Sequence, residues 1–157
     1  PRARQSHLHR ILTELDHVEP GGETNVASPL HDLAESLKRT GLIILISDLL
    51  DDPQKVLSAL QHFRFKGHDI IVFHIMDDAE LTFPFDSMTE FTDLETSEKL
   101  LIAPEGIKPV YMAELRRFLS SYERGCADLK ADYKLFDTRT PLELGLSEYL
   151  HRRSQMN

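Results

Sequence analysis

Two apolar runs of strand length, joined by one helix-length segment, constrain the fold of this chain more than any other feature. Leu42-Ile43-Ile44-Leu45-Ile46 is hydrophobic at every position, so it has no polar face to offer water. That is the pattern of a strand covered by helices on both sides. Ser47-Asp48-Leu49-Leu50-Asp51-Asp52 follows as a polar exit loop, and Asp52-Pro53 supplies a cap and a first-turn proline for a helix bearing Val56, Leu57, Leu60 and Phe63 on one face. Gly67 closes that helix. Ile70-Ile71-Val72-Phe73 is a second buried strand, with Asp77-Asp78 at its C-terminal end. A right-handed crossover makes the two strands parallel neighbours. Being the most apolar, the Leu42 strand is expected at the centre of the sheet.

The remaining elements are read from periodicity. Leu8, Ile11, Leu12 and Leu15 share one helical face, and Leu30, Leu33, Ala34 and Leu37 share another after a Ser28-Pro29 start. Segment 81–109 breaks the alternation; 88–94 and 98–103 are predicted to pair as an inserted β-ribbon. After Pro109 the longest helix presents Tyr111, Leu115, Phe118, Leu119, Tyr122, Cys126 and Leu129. Residues 133–137 form a more polar strand suited to a sheet edge. A last helix, opened by a Thr140-Glu143 capping box, is expected to bury Leu142, Leu146, Tyr149 and Leu150. The fold class is therefore α/β, a Rossmann-like parallel sheet flanked by helices. Residues 1–157 are read as part of one domain whose N-terminal strands are not in this sequence, because only three parallel strands appear and the first element is a helix. The open side of the Leu42 strand then exposes unpaired backbone, which makes a homodimer through that sheet edge one expected outcome.

Charge and composition limit the function classes. A formal net charge of -8 over 157 residues argues against nucleic acid or an anionic membrane surface as principal partner. No segment approaches the ~20 apolar residues of a membrane span, and no signal-peptide pattern is present. Cys126 is the single cysteine, so neither a disulfide framework nor a thiolate zinc cluster is available, and a reducing cytoplasm is the expected setting. Cys126 lies on the apolar face of its helix and reads as a small buried hydrophobe. The eight histidines are scattered with no metal-protease spacing, and His74, inside an apolar strand, reads as a hydrogen-bonded core residue.

Open parallel sheets bind ligands at the C-terminal ends of their strands. Thr24, in the loop after Pro20-Gly21-Gly22, and Asp48, after the Leu42 strand, are expected to meet there, and a hydroxyl with a carboxylate suits Mg²⁺ with retained waters. On spacing alone the simpler account is favoured: Thr24 as a turn residue and Asp48 as a turn or helix-start residue. An enzymatic alternative uses Asp48 and Asp51 as a Mg²⁺-dependent phosphohydrolase site, but no Gly-rich phosphate cradle or activated nucleophile accompanies them.

Larger motifs occur in order along the chain: Pro20-Gly21-Gly22-Glu23-Thr24, Arg39-Thr40-Gly41 running into the Leu42 strand and Ser47-Asp48, Gly67-His68-Asp69 before the next strand, Phe83-Pro84-Phe85, Asp93-Leu94-Glu95-Thr96 and Asp137-Thr138-Arg139-Thr140-Pro141-Leu142. In these the chain resembles the bacterial family called domain of unknown function fifty-eight. That resemblance implies a von Willebrand factor A-like fold, a metal-ion-dependent adhesion site and association with MoxR-type AAA ATPases. It assigns Thr24 and Asp48 to the metal site. Glu23, Asn25 and Asp51 fall at its partner-binding rim. The Asp-x-Ser-x-Ser element that completes such a site is absent from this sequence, so Mg²⁺ is expected in the complete domain and weak or no binding by this chain. The function implied is a non-enzymatic adaptor that binds an AAA ATPase or its client.

Overall fold

The computed structural model describes residues 5–18, 26–93 and 96–156. In order, the elements are α1 (Gln5–Asp16), α2 (Ala27–Ser36), β1 (Leu42–Ser47), α3 (Pro53–Phe65), β2 (Asp69–Met76), α4 (Asp78–Thr82), β3 (Thr89–Thr92), β4 (Lys99–Ile102), α5 (Pro104–Asp128), β5 (Asp132–Asp137) and α6 (Leu142–Met156). Strands β1, β2 and β5 form a parallel sheet in that order, and β3 and β4 form the separate antiparallel ribbon.

The βαβ unit is built as its residues dictate. The Asp52 side chain accepts the Gln54 N–H at 2.9 Å, Pro53 begins α3, and Gly67 leaves it at φ 85°. Register places Ile43 beside Ile70 and Leu45 beside Val72, so these four share one sheet face. Val56, Ala59, Leu60 and Phe63 of α3 and Tyr122 and Cys126 of α5 cover that face, with Ala34 of α2 joining the same core. On the opposite face α6 covers β5 and β2. Gly145 lies on the Phe136 ring, the Tyr149 ring meets Phe73 edge-on at 5.2 Å, and the Tyr149 hydroxyl donates to Asp132 at 2.8 Å.

Several expectations are corrected. The centre of the described sheet is β2, not the Leu42 strand, because only β2 is paired on both sides; β1 is an edge. Leu42, Ile44 and Ile46, on the face away from α3, are 50%, 51% and 66% exposed, since α6 reaches only β5 and β2. Helix α2 starts at Ala27, one residue before the expected Ser28-Pro29 cap, and its acceptor comes from a distant carboxylate described below. Helix α5 starts at Pro104 and takes Pro109 inside its second turn, where the missing N–H frees one carbonyl near the helix start. A short helix, α4, was not foreseen; Asp77 and Glu80 form its capping box. On α6 the buried row is Gly145 and Tyr149, four apart, while Leu142 and Leu150 are exposed. The α1 stripe, Leu8, Ile11, Leu12 and Leu15, is exposed too.

A Cβ on Gly145 would lie 2.6 Å from the Phe136 ring, whereas one on Gly41 meets nothing within 4 Å. Gly145→Ala is therefore expected to destabilise the protein by about 1–3 kcal/mol through overpacking, with Gly41→Ala close to neutral. Urea unfolding of the two variants beside wild type checks this, and equal midpoints for the pair would contradict the close α6–β5 packing.

Candidate functional site

The loop leaving β1 is fixed atom by atom. Ser47 Oγ accepts the Leu49 N–H at 3.0 Å, and Asp48 Oδ1 accepts the Leu50 N–H at 3.3 Å. Leu49 is fully buried and sits at φ 56°, a left-handed conformation that costs a non-glycine residue roughly 1–2 kcal/mol. It is held there from outside the loop. The Leu49 carbonyl accepts the Asp51 N–H at 2.7 Å and the Tyr122 hydroxyl at 3.0 Å. The Asp48 carbonyl lies 2.8 Å from His74 Nε2. A carbonyl can only accept, so Nε2 carries the proton. In the neutral ring Nδ1 is then the acceptor for the Tyr133 hydroxyl, 2.8 Å away. Burial pushes the His74 pKa below its ordinary value.

Asp51 joins this loop to α2. Its Oδ1 accepts the Asp52 N–H at 2.7 Å, and Oδ2 accepts the N–H groups of Val26 and Ala27 at 3.1 and 3.3 Å. The Asp52 amide, with those of Val26 and Ala27, holds the carboxyl below its usual range. These two α2 amides are donors that the helix itself cannot satisfy. The structure thus gives Asp51 a different task from the rim contact or catalytic carboxylate read from sequence: both its oxygens are occupied by main chain. Val26 directly follows Glu23, Thr24 and Asn25 in the sequence. Those three residues lie outside the described ones, so their expected roles have no geometry here.

Asp48 is exposed, and among the described residues its carboxylate makes only the Leu50 and Ser47 contacts at Oδ1. The carboxylates at the other strand ends serve local structure. Asp77 caps α4 and accepts the Thr138 hydroxyl at 2.8 Å, Asp78 pairs with Arg139 at 2.8 Å, and Asp137 accepts the Arg139 N–H at 2.8 Å. Among the described residues no group of three or more His, Cys, Asp or Glu side chains is placed to hold a metal ion. The described donor set does not fit an ion held by these residues alone.

Sequence reading recovered His74 as a satisfied core residue but missed that it, Tyr122 and Tyr133 hold the Asp48 loop. The available signal was one imidazole in an apolar strand together with two tyrosines on core-facing positions. The other side chains read as structural are so: His68 is buried, with its Nδ1 accepting the Gly41 N–H at 3.2 Å, and the Cys126 thiol is buried and pushed up to about 11. Phe83, Phe85 and Phe91 close on one another and on Tyr111 of α5, with Phe83–Tyr111 centroids 4.8 Å apart. They pack the ribbon segment against α5.

Because the folded state disfavours His74 protonation, the unfolded chain binds the proton more readily, and stability is lost as pH falls through the ordinary imidazole value of about 6.5. The urea midpoint is expected to drop between pH 7 and 5.5 with a shallower slope in His74→Gln, whatever that variant's stability at pH 7. Identical slopes would show that His74 does not contribute.

The family model described as "Protein of unknown function DUF58" matches residues 1–117, and the chain belongs to that family. Searches of curated proteins and of solved structures returned no match.

Proposed function

We propose that this DUF58-family chain works as part of a non-enzymatic, cytoplasmic adaptor that binds a protein partner, a MoxR-type AAA ATPase or its client, at the C-terminal end of its parallel sheet. One arrangement supports the reading: Asp51 holds the Val26 and Ala27 amides at the start of α2 against the loop that exposes Asp48, at the sheet end where α/β folds bind ligands. In the complete site Thr24 and Asp48 would face a Mg²⁺ ion, Asp48 through water. The ion supplies a positive bridge between this acidic chain and an acidic group of the partner. Asp51, Tyr122 and His74 position the loops and touch neither. Both Asp51 oxygens being occupied by amides weighs against the phosphohydrolase alternative.

In a polypeptide that carries an Asp-x-Ser-x-Ser loop together with this chain, binding to a MoxR-type ATPase measured by calorimetry is expected to require Mg²⁺. Asp48→Ala should weaken it about ten- to a hundredfold, and Thr24→Ala should do at least as much. Binding that persists in EDTA and in both variants would sink the reading. No described helix is long and apolar enough to cross a membrane.

A second reading rests on a separate observation. The outer edge of β1 has no strand partner among the described residues, and Leu42, Ile44 and Ile46 are half-exposed or more beside it. Self-association through that edge is the role it supports. Light scattering of the 157-residue chain is expected to give a mass that rises with concentration and falls back to 18.0 kDa in Ile44→Lys. A monomer at every concentration removes this reading.

A further inference from the structure

The same loop that presents Asp48 also builds one wall of a cavity that the metal-site reading does not use. Leu50, 54% exposed, stands over an opening of about 400 Å³ whose floor and sides are Met76 at the end of β2 and Tyr111, Leu115 and Phe118 of α5. An exposed leucine on a polar loop is ordinarily free to turn away. Here it is not, because Leu49 before it is locked at φ 56° with its side chain buried, and the Leu50 N–H is held by Asp48. The strained residue sends one leucine into the core and aims the next at the cavity. Tyr111 is likewise fixed, its hydroxyl donating to the Glu80 carbonyl at 2.9 Å. The result is an apolar hollow with preset walls, of a volume that small-ligand and side-chain anchor sites share.

The rim is charged on balance. Glu80 and Glu114 border the cavity, and the single cation there, Arg117, is already paired with Glu114. The Glu80 carboxylate accepts the Asp77 N–H at 2.9 Å, which leaves its charge uncancelled. The chain as a whole carries -8.

We propose that this cavity is an anchor site for a partner protein, taking one large apolar side chain that lies next to a lysine or arginine in the partner's sequence. The apolar group displaces water from Leu50, Met76, Leu115 and Phe118, and the neighbouring cation meets Glu80, whose charge the Glu114–Arg117 pair leaves uncancelled. A buried apolar anchor with a charged neighbour is the form in which a few residues carry most of an interface's affinity. The proposal rests on the protein-binding reading above and adds to it the chemistry of the partner, in a place that does not depend on a metal ion.

A phage-displayed random peptide library panned on the full 157-residue chain in EDTA tests it. Selected peptides are expected to share a Leu, Met or aromatic residue within two positions of Lys or Arg. Synthetic copies should lose affinity at least about tenfold for Leu50→Asp and for Glu114→Lys, and none for Phe65→Ser, a substitution at a 90% exposed phenylalanine that does not line the cavity. Both altered cavity residues are exposed, and circular dichroism with a urea midpoint verifies that the variants fold. Peptides lacking the apolar–basic pair, or affinity that survives both cavity substitutions, overturn the proposal. Since the selection contains no metal ion, it separates the two ideas. Mg²⁺-dependent ATPase binding can fail while the peptides still bind, which removes the metal site alone; the reverse outcome removes the cavity alone.

Discussion

Everything at the functional end of this molecule depends on one buried imidazole. His74 sits in β2, fully buried, where a polar ring lacking partners would cost several kcal/mol. It is tolerated because each nitrogen is satisfied, by the Asp48 carbonyl on one side and the Tyr133 hydroxyl on the other. Those partners belong to the loop after β1 and to β5, the two neighbours of β2 in the sheet. One side chain therefore ties all three strands together at one level. Tyr122 repeats the device from α5 by donating to the Leu49 carbonyl, and the rings of His74, Tyr122, Tyr133 and Phe118 meet edge-on. The left-handed strain at Leu49 is offset by this set of donors. A loop whose Asp48 and Leu49 carbonyls are held by side chains of β2 and α5 cannot drift, so the exposed groups on it, Asp48 and Leu50, occupy defined positions in advance.

The acidic character of the chain has a related explanation. Aspartates follow β1 and β2 and end β5, which from sequence looks like a gathering of metal ligands. Most of them instead serve free backbone donors: Asp52 and Asp77 at the starts of α3 and α4, Asp51 at the start of α2, and Asp137 in the turn before α6. Parallel α/β architecture makes this demand repeatedly, since each strand hands over to a helix whose first amides need acceptors. Asp48 stands apart because its carboxylate serves its own turn and still faces solvent. The distinction between Asp48 and Asp51, only three residues apart, is the main thing that three-dimensional information adds to the site.

What was legible in the sequence follows from how local each cause is. The βαβ unit is readable from apolar runs, the Asp52-Pro53 start and Gly67, since those signals act over a few residues. The ribbon was also readable, its two short strands pairing across a brief polar connection. Long-range causes were not. The start of α2 at Ala27 is set by Asp51, 24 positions away, which no local cap rule can register. The edge position of β1 follows from which strands are present to pair, and hydrophobicity measures only how buried a strand wants to be. The inward face of α6 is selected by Gly145, where the absence of a side chain lets Phe136 approach, so the leucines on either side lose the contest for the core. Pro109 misled in the opposite direction: it marks a helix boundary in most contexts, yet Pro104 had already begun α5 and the second proline was absorbed near its start.

The two ends of the sheet differ in what remains unsatisfied. At the C-terminal end almost every polar group has an internal partner, so further binding there must be bought with shape and charge at Asp48 and Leu50. Along β1 the imbalance is apolar. Leu42, Ile44 and Ile46 retain half or more of their exposure, and covering each would contribute on the order of 1 kcal/mol or more, before counting the strand hydrogen bonds for which the edge has no partner among the described residues. The α1 stripe of Leu8, Ile11, Leu12 and Leu15 is in the same condition. Apolar area of that extent on a strand edge favours strand pairing or sheet-on-helix packing, both of which are geometrically demanding but chemically unselective. Preset position and charge therefore distinguish the Asp48 end, while uncovered apolar area distinguishes the β1 side.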